Sequence, residues 1–423
     1  MDDIKIIANK IKNAGGRLYL VGGAVRDELM GITKHDEDYC VTRIDSKDFE
    51  KLFPNAVSRG KFFPVYDLDS KEFAMARKDI KTGIGHKNFV FEVNKNISIE
   101  EDLERRDITI NSIAKDVLDN TIIDPFNGIK DLESKIIRAT SSHFVEDPLR
   151  VYRVARFASI FGFDVDSTTL NMMNSLRNEL NSLSPERVFI EFRKALLSSK
   201  PSIFFNILRK CNLLDVHFKE IYDLINVEQP VKYHPEGDAY NHTMLVLDMS
   251  ADLTANFEEF RKLQIRFSAL VHDLGKGLTP KSMYPHHYGH EINGLKLVKS
   301  LCNSLKVPES WKKCGETACK FHMKGGIFAK MRPSKQIDFI EQINKTPLGL
   351  DGMKIVVICD KTSSNKNYNI SEINFDIIGE KCLNIINGDY IKEKYGLSSG
   401  LELKKKLHDE RVSWLVKEYK KAL

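Results

Sequence analysis

Two carboxylates stand one residue apart in "HDEDYCV": Asp36 and Asp38. Residues i and i+2 of a strand point to the same face, so this spacing predicts a pair of like charges side by side. Such a pair requires a cation. Mg²⁺ takes carboxylate oxygens together with substrate phosphates, and two such ions activate a hydroxyl while neutralising a leaving pyrophosphate. Glu72 in "EFAMAR" is the candidate third carboxylate, supplied by a neighbouring strand. Just upstream, "RLYLVGGAVRD" places Gly22 and Gly23 after an apolar run and before a helical segment. Glycines there let backbone N–H groups approach phosphates. Arg26 follows one turn later and is positioned to grip a triphosphate.

A second set lies in "EDPLRVYRVARF". Asp147, Arg150, Arg153 and Arg156 recur every three residues, a slowly turning polar stripe on a helix. Cytosine and adenine share an exocyclic amino donor beside a ring-nitrogen acceptor, a pattern that uracil and guanine lack. A carboxylate at Asp147 accepting from the amine and a guanidinium at Arg150 donating to the ring would select C and A with no template. Arg153 and Arg156 would hold phosphates or keep the arginine array in shape. Asp147-Pro148 also reads as a helix cap followed by proline at the first helical position. In "DLERRDITINSIA", Arg105 and Arg106 diverge by about 100° on a helix, so only one of them faces a common site.

A third set is histidine-rich. Seven of the twelve histidines fall between His234 and His322. They include His242, His272 in "FSALVHDLGKG", the "HHYGH" run and His322, a clustering that helix packing alone does not explain.

Taken in order, "VGGAVRD", "HDED", "EFAMAR", "DLERRDITINSIA", "EDPLRVYRVARF" and "SPERVFIEF" resemble the successive motifs of class II tRNA nucleotidyltransferases, the CCA-adding enzymes of the polymerase β-like superfamily. The likeness runs motif by motif to about residue 200 and continues through an HD-type region, as in the bacterial multifunctional form. It implies an α+β fold: a small mixed-sheet head, then an all-helical neck, body and tail. It implies addition of CMP, CMP and AMP to tRNA from CTP and ATP, with Mg²⁺ at Asp36 and Asp38. Gly23, Arg26, Arg106, Asp147, Arg150, Arg153 and Arg156 would bind the nucleotide. The Lys-, Arg- and Gly-rich segment "ARKDIKTGIGHKNFVFE" occupies the place of a flexible loop needed for the switch from C to A. The order H…HD…H resembles the HD phosphohydrolases, with His242, His272 and Asp273 as metal ligands and His272, Asp273 and His322 as catalytic groups. Imidazole donors suit Ni²⁺, Mn²⁺ or Co²⁺ better than Mg²⁺. Asp360 in "VVICDKTS" is the candidate last ligand. The activities implied are phosphatase and 2′,3′-cyclic phosphodiesterase. The rival readings are a bacterial poly(A) polymerase and an HD hydrolase whose head merely binds RNA.

The elements that must carry these residues change type along the chain. Its 423 residues suggest about three domains. Up to residue 130, short β-rich runs alternate with turn residues; beyond about 143, apolar residues recur with a period near 3.6. The expected divisions are 1–140 head, 141–200 neck, 201–350 body with the HD region, and 351–423 tail. The N-terminal segment reads as an amphipathic helix ending at Gly15-Gly16, without the layout of a signal peptide. No 18-residue apolar run predicts a membrane span. Seven cysteines with no C-x-x-C pair fit a reducing, cytoplasmic setting. A net charge of +5 permits an RNA partner without demanding one. The Lys-rich C-terminal helix either contacts tRNA phosphates or is a solvated face. The chain would work as a monomer or homodimer.

Overall fold

The computed structural model describes residues 2–33, 37–59, 64–81, 89–364, 368–397 and 399–422. Two compact units divide the chain: residues 1–191 with 203–216, and residues 192–202 with 217–423.

The first unit is built on a seven-stranded sheet. Its strands are β1 (Arg17–Val21), β2 (Asp38–Thr42), β3 (Val57–Arg59), β4 (Val65–Leu68) and β5 (Lys71–Met75), then β8 (Ala114–Asp116) and β9 (Ile122–Ile123). Their order is β3-β4-β5-β2-β1-β8-β9, and only the β2–β5 pair is parallel. That parallel register sets Asp38 opposite Glu72, so their side chains share a face. The alternate residues Tyr39, Val41, Phe73 and Met75 turn to the other face. There they pack with Ile7 and Ile11 of α1 (Asp2–Asn13) and Phe49 of α3 (Ser46–Leu52). Tyr39 and Phe73 stack at 5.2 Å. Moving β2 by one residue would bury the Asp38 carboxylate in this core, so hydrophobic patterning fixes where the acid points.

On the Asp38 face, Cys40 and Ala114 pack against Ile99 and Leu103 of α4 (Ile99–Glu104). Ser98 and Glu101 form a capping box that starts α4. The segment expected to be a loop has paired ends: β6 (Arg77–Lys81) and β7 (Phe89–Val93) form an antiparallel hairpin. Backbone pairing of "RKDIK" with the β-rich "FVFEV" outweighs its charged composition.

Between β1 and β2 lies α2 (Gly23–Leu29), and α5 (Gly128–Glu133) follows the sheet. The helix α6 (Arg150–Phe161) carries the predicted arginine stripe. Its apolar residues Val151, Val154, Ala155 and Ala158 are fully buried, at the i, i+3, i+4, i+7 spacing of one helix face. Arg150 and Arg156 are also buried, while Arg153 between them is partly exposed.

The second unit is helical. Five of its helices matter here: Ala239–Leu253, Glu259–Val271, His290–Leu305, Glu309–Gly326 and Gly349–Thr362. Gly275, just after His272-Asp273, lies so close to the His290 carbonyl that a Cβ would strike it. A side chain at 275 would therefore push the His290 helix away from Asp273. No helix among the described residues is long and apolar enough to cross a membrane.

Candidate active sites

The β1–α2 turn is held by Gly22 at φ +68°, a left-handed conformation that glycine adopts without strain. A Cβ on Gly22 would come 2.6 Å from Arg106 Nη1, so the turn also makes room for that guanidinium. The turn opens into a cavity of about 620 Å³ in the first unit. Gly22, Gly23, Arg26, Asp38, Arg106, Asp147, Arg150 and Arg153 all line it. So do Arg77, Asp107, Asn111 and Arg187, which sequence reasoning did not assign to the site, and Arg105, so that both adjacent arginines face it where one was expected. Seven arginines against four carboxylates leave its lining with an excess of positive charge. A smaller adjoining cavity of about 200 Å³ brings Glu72 beside Asp38, Asp102 and Arg105. Asp36 lies outside the described residues.

The arginines are held in place by buried acids. Burial pushes the Asp102 carboxyl up, but the Arg105 and Arg106 charges outweigh that and hold it at about 2. Its oxygens accept from Arg105 at 2.5 Å and from Arg106 at 3.1 Å. Asp107 behaves likewise: burial is outweighed by Arg153, and its carboxyl also falls to about 2. Arg153 Nε donates to Asp107 Oδ2 at 2.7 Å, and Asn111 Nδ2 donates to the other oxygen at 3.2 Å. Asn111 in turn accepts from Arg26 Nη1 at 2.5 Å. Arg26, Asn111, Asp107 and Arg153 thus form one chain of charge-assisted contacts from α2 to α6. The Arg26 guanidinium also sits over the Phe161 ring at 4.7 Å.

Asp147 divides its oxygens. Oδ1 accepts from the Leu149 N–H at 3.0 Å in the turn that leads into α6, while Oδ2 accepts from Arg187 at 3.3 Å; the expected cap at Asp147-Pro148 is shifted, since α6 starts at Arg150 with Leu149 at its N-cap. Arg150 Nη1 donates to the His143 carbonyl at 2.5 Å, and Nη2 donates to the Arg105 carbonyl. Arg156 is set back from the cavity, in a buried ion pair with Glu191 at 2.6 Å. Arg187 comes from "SPERVFIEF". That motif alone signalled it, because nothing local links position 187 to 147.

The second unit brings His242, His272, Asp273 and Asp360 together, and beside them Asp273, His290 and His322. Asp273 belongs to both sets. Its Oδ2 lies 3.2 Å from His272 Nε2, and its Oδ1 lies 3.1 Å from His290 Nε2 and 3.2 Å from His322 Nε2. Asp360 Oδ1 is 3.2 Å from His242 Nε2. All of these side chains are buried. His272 Nε2 and both Asp273 oxygens make no well-directed hydrogen bond among the described residues, although the Lys276 ammonium and the imidazoles stand close to Asp273. Buried orphan donors of mixed nitrogen and oxygen type, converging on one point, fit a divalent transition cation. Backbone carbonyls fix the rings: His272 Nδ1 meets the Ala269 oxygen at 2.7 Å, and His290 Nδ1 meets that of His287 at 2.6 Å. Such contacts orient the other ring nitrogen toward a metal.

Burial raises the Asp273 carboxyl, but the Lys276 ammonium, 2.6 Å away, and His272 bring it well below the usual range. Asp360 is lowered in the same way against its burial, first by Lys361 and then by His242. Burial lowers His322. His242 resists burial and is raised, by its bonds to Asp360 and Glu236. Glu236, absent from the sequence reading, accepts from His242 Nδ1 at 2.7 Å and contacts His234 Nδ1 at 3.0 Å. His290 was foreseen only as part of "HHYGH"; His286 in that run is exposed.

Comparison with known proteins follows the same division. Residues 18–138 match the poly A polymerase head domain, residues 162–224 the probable RNA and SrmB-binding site of polymerase A, and residues 239–336 the HD domain. The multifunctional CCA protein of Haemophilus influenzae (strain PittGG) is 45% identical over 313 residues, covering 72% of this chain and 74% of that protein. The multifunctional CCA protein of Mannheimia succiniciproducens is 40% identical over 351 residues, covering 81% and 83%. This chain belongs to the multifunctional CCA protein family. It is a nucleotidyltransferase with an HD domain. Its fold is that of solved CCA-adding enzymes. One such enzyme, in complex with CTP, superposes with TM-score 0.66 at 18% identity, over 98% of this chain and 90% of the other. The Thermotoga maritima CCA-adding enzyme complexed with tRNA gives 0.65 at 17% identity, over the same shares.

Proposed function

We propose that the protein adds CMP, CMP and then AMP to the 3′ end of tRNA from CTP and ATP, without a nucleic-acid template, and that its HD unit hydrolyses phosphomonoesters and 2′,3′-cyclic phosphates. One observation carries the first part: Asp38 stands beside Glu72 on the sheet face that opens into the arginine-lined cavity with Asp147 on its wall.

The all-oxygen donors Asp38 and Glu72, with Asp36, suit Mg²⁺. Mg²⁺ held by these carboxylates would supply charge neutralisation on the phosphates and a lowered pKa for the attacking hydroxyl. The tRNA 3′-hydroxyl attacks the α-phosphorus in line, and pyrophosphate leaves. Arg26 and Arg106, either side of the Gly22-Gly23 turn, receive the triphosphate. Asp107 and Asn111 hold Arg153 and Arg26 in register, so little reorganisation is needed when charge develops. Asp147 accepts from the exocyclic amine of C or A, and Arg150 donates to the ring nitrogen. A guanidinium has five N–H donors in a planar fork, so holding two carbonyls is compatible with reading a base. Arg187 keeps the Asp147 carboxylate turned into the cavity.

In the HD unit, His242, His272, Asp273 and Asp360 form one ligand set and His290 with His322 a second that shares Asp273. Ni²⁺, Mn²⁺ or Co²⁺ would supply an activated water there. Hydrolysis at this site would clean damaged tRNA ends before nucleotide addition. The protein acts in the cytoplasm, on tRNA.

The test is label incorporation from each of the four triphosphates into tRNA ending at its discriminator base. C, C and A in order, with no uptake of U or G, is the expected result. Long adenosine tails would instead mark a poly(A) polymerase. Unchanged activity in Asp38→Ala would mark an HD hydrolase with an RNA-binding head.

A further inference from the structure

Two loops of the second unit turn residues into the histidine centre and each leaves an aromatic ring in water. The first loop spans Glu228 to Asp238 and is closed by a backbone bridge between those two residues. His234 and Glu236 turn inward to His242. Tyr233, next to His234, is 64% exposed. The second loop runs from Thr279 to His290, where His290 reaches Asp273. Tyr288, two residues before it, is 75% exposed and stacks on His286 at 5.7 Å and 21°.

The loops are joined. His287 Nε2 donates to the Glu228 carbonyl at 2.9 Å, and His287 Nδ1 meets Thr279 Oγ1 at 2.9 Å. Gln229, buried at the root of the first loop, accepts from Lys276 at 2.6 Å, and Lys276 also holds Asp273. Both rings are therefore tied to elements that carry the centre. Lys232 lies over the Tyr233 ring at 5.4 Å, adding positive charge to the same loop. Two water-exposed aromatic rings serve no core. Flat rings with a cation, on the loops that carry residues of a centre suited to phosphoester hydrolysis, match the requirements for stacking nucleobases next to a bound phosphate.

We infer that Tyr233 and Tyr288 are stacking platforms that seat the terminal base of an RNA 3′ end at the HD centre, making that centre selective for nucleotides over simple phosphate esters. The inference rests on the hydrolase reading above and names what gives it specificity. In the step concerned, water adds to phosphorus, the ester P–O bond breaks, and the ribose hydroxyl leaves with a proton.

The test uses the full chain with Mn²⁺ and measures phosphate release from adenosine 2′-monophosphate and from glycerol 2-phosphate, which has no base. Both tyrosines are exposed, so Tyr233→Ala and Tyr288→Ala leave the fold intact. Each is expected to raise KM for the nucleotide about 5- to 100-fold, with kcat and glycerol 2-phosphate turnover unchanged. Phe at either position should restore the nucleotide KM. Equal effects on both substrates, no effect on either, or wild-type preference for glycerol 2-phosphate would each overturn the inference. No effect on either is also the outcome expected if the rings dock a protein. If wild type hydrolyses neither substrate, the hydrolase reading falls by itself. Calorimetric titration with adenosine 2′-monophosphate then decides the stacking: weaker binding by the Ala variants upholds it, and unchanged binding overturns it.

Discussion

Replacing Asp147 by Asn separates its two tasks. The side chain braces the turn before α6 through Oδ1, 3.0 Å from the Leu149 N–H, and faces Arg187 through Oδ2 at 3.3 Å. An Asn retains a carbonyl oxygen for that bond, so the roughly 1 kcal/mol that losing it costs is not incurred. With that oxygen committed, its NH₂ group must point where Oδ2 stood. A donor would then meet the exocyclic amine of C or A and would suit the O4 of U or the O6 of G. One such pair discriminates by about 1–3 kcal/mol, so the ratio of kcat/KM for CTP over UTP should fall about 5- to 150-fold. The assay is single-nucleotide extension of tRNA lacking its end, with each triphosphate in turn, beside a thermal melt. Asp147→Ala should lose both selectivity and the bond to the Leu149 N–H, lowering Tm as well. The reasoning fails if Asp147→Asn keeps the CTP:UTP ratio within about twofold while its melt matches wild type.

Other perturbations bear on separate parts of the structure. Gly22→Ala forces a side chain at φ +68° and against Arg106; it should raise KM for both nucleotides several-fold and cost about 1–2 kcal/mol by denaturant unfolding. Glu72→Gln should reduce CTP incorporation and raise the Mg²⁺ concentration for half-maximal rate, while a melt stays unchanged because Glu72 is exposed. Asp102 and Asp107 have carboxyls held at about 2 in the fold, against about 3.9 when unfolded. Depressed values mean stability that is complete above about pH 4 and lost as pH falls through 2, about 2 kcal/mol for each group. Melts at pH 5, 3.5 and 2.5 measure it, and a flat Tm refutes it. Asp273→Asn should release bound transition metal, measured by elemental mass spectrometry, and leave CTP incorporation intact.

Much of the architecture was legible because local chemistry dictates it. The alternation in "RLYLV" and "DYCVT", the Gly-Gly turn and the apolar spacing of α6 involve residues within a turn or two of one another. The hairpin ends at Arg77–Lys81 were not legible: a charged strand is recognised by its partner, not by its own composition. For the arginines, periodicity showed a stripe but not its surroundings. Arg150 and Arg156 are buried against carbonyls and Glu191, and only packing decides whether a polar stripe meets water or protein.

By itself the sequence determined the residue types, the same-face spacing of the acids, the order of motifs and the clustering of histidines, since each follows from covalent neighbours and short-range periodicity. The tertiary structure alone decided convergence. Parallel pairing of β2 with β5 put Glu72 opposite Asp38, helix packing brought Arg187 to Asp147, and Asp360 reached His242 across 118 positions. Those meetings depend on how buried faces interlock over long separations, and no local pattern encodes the distance between two side chains that only a folded core brings together.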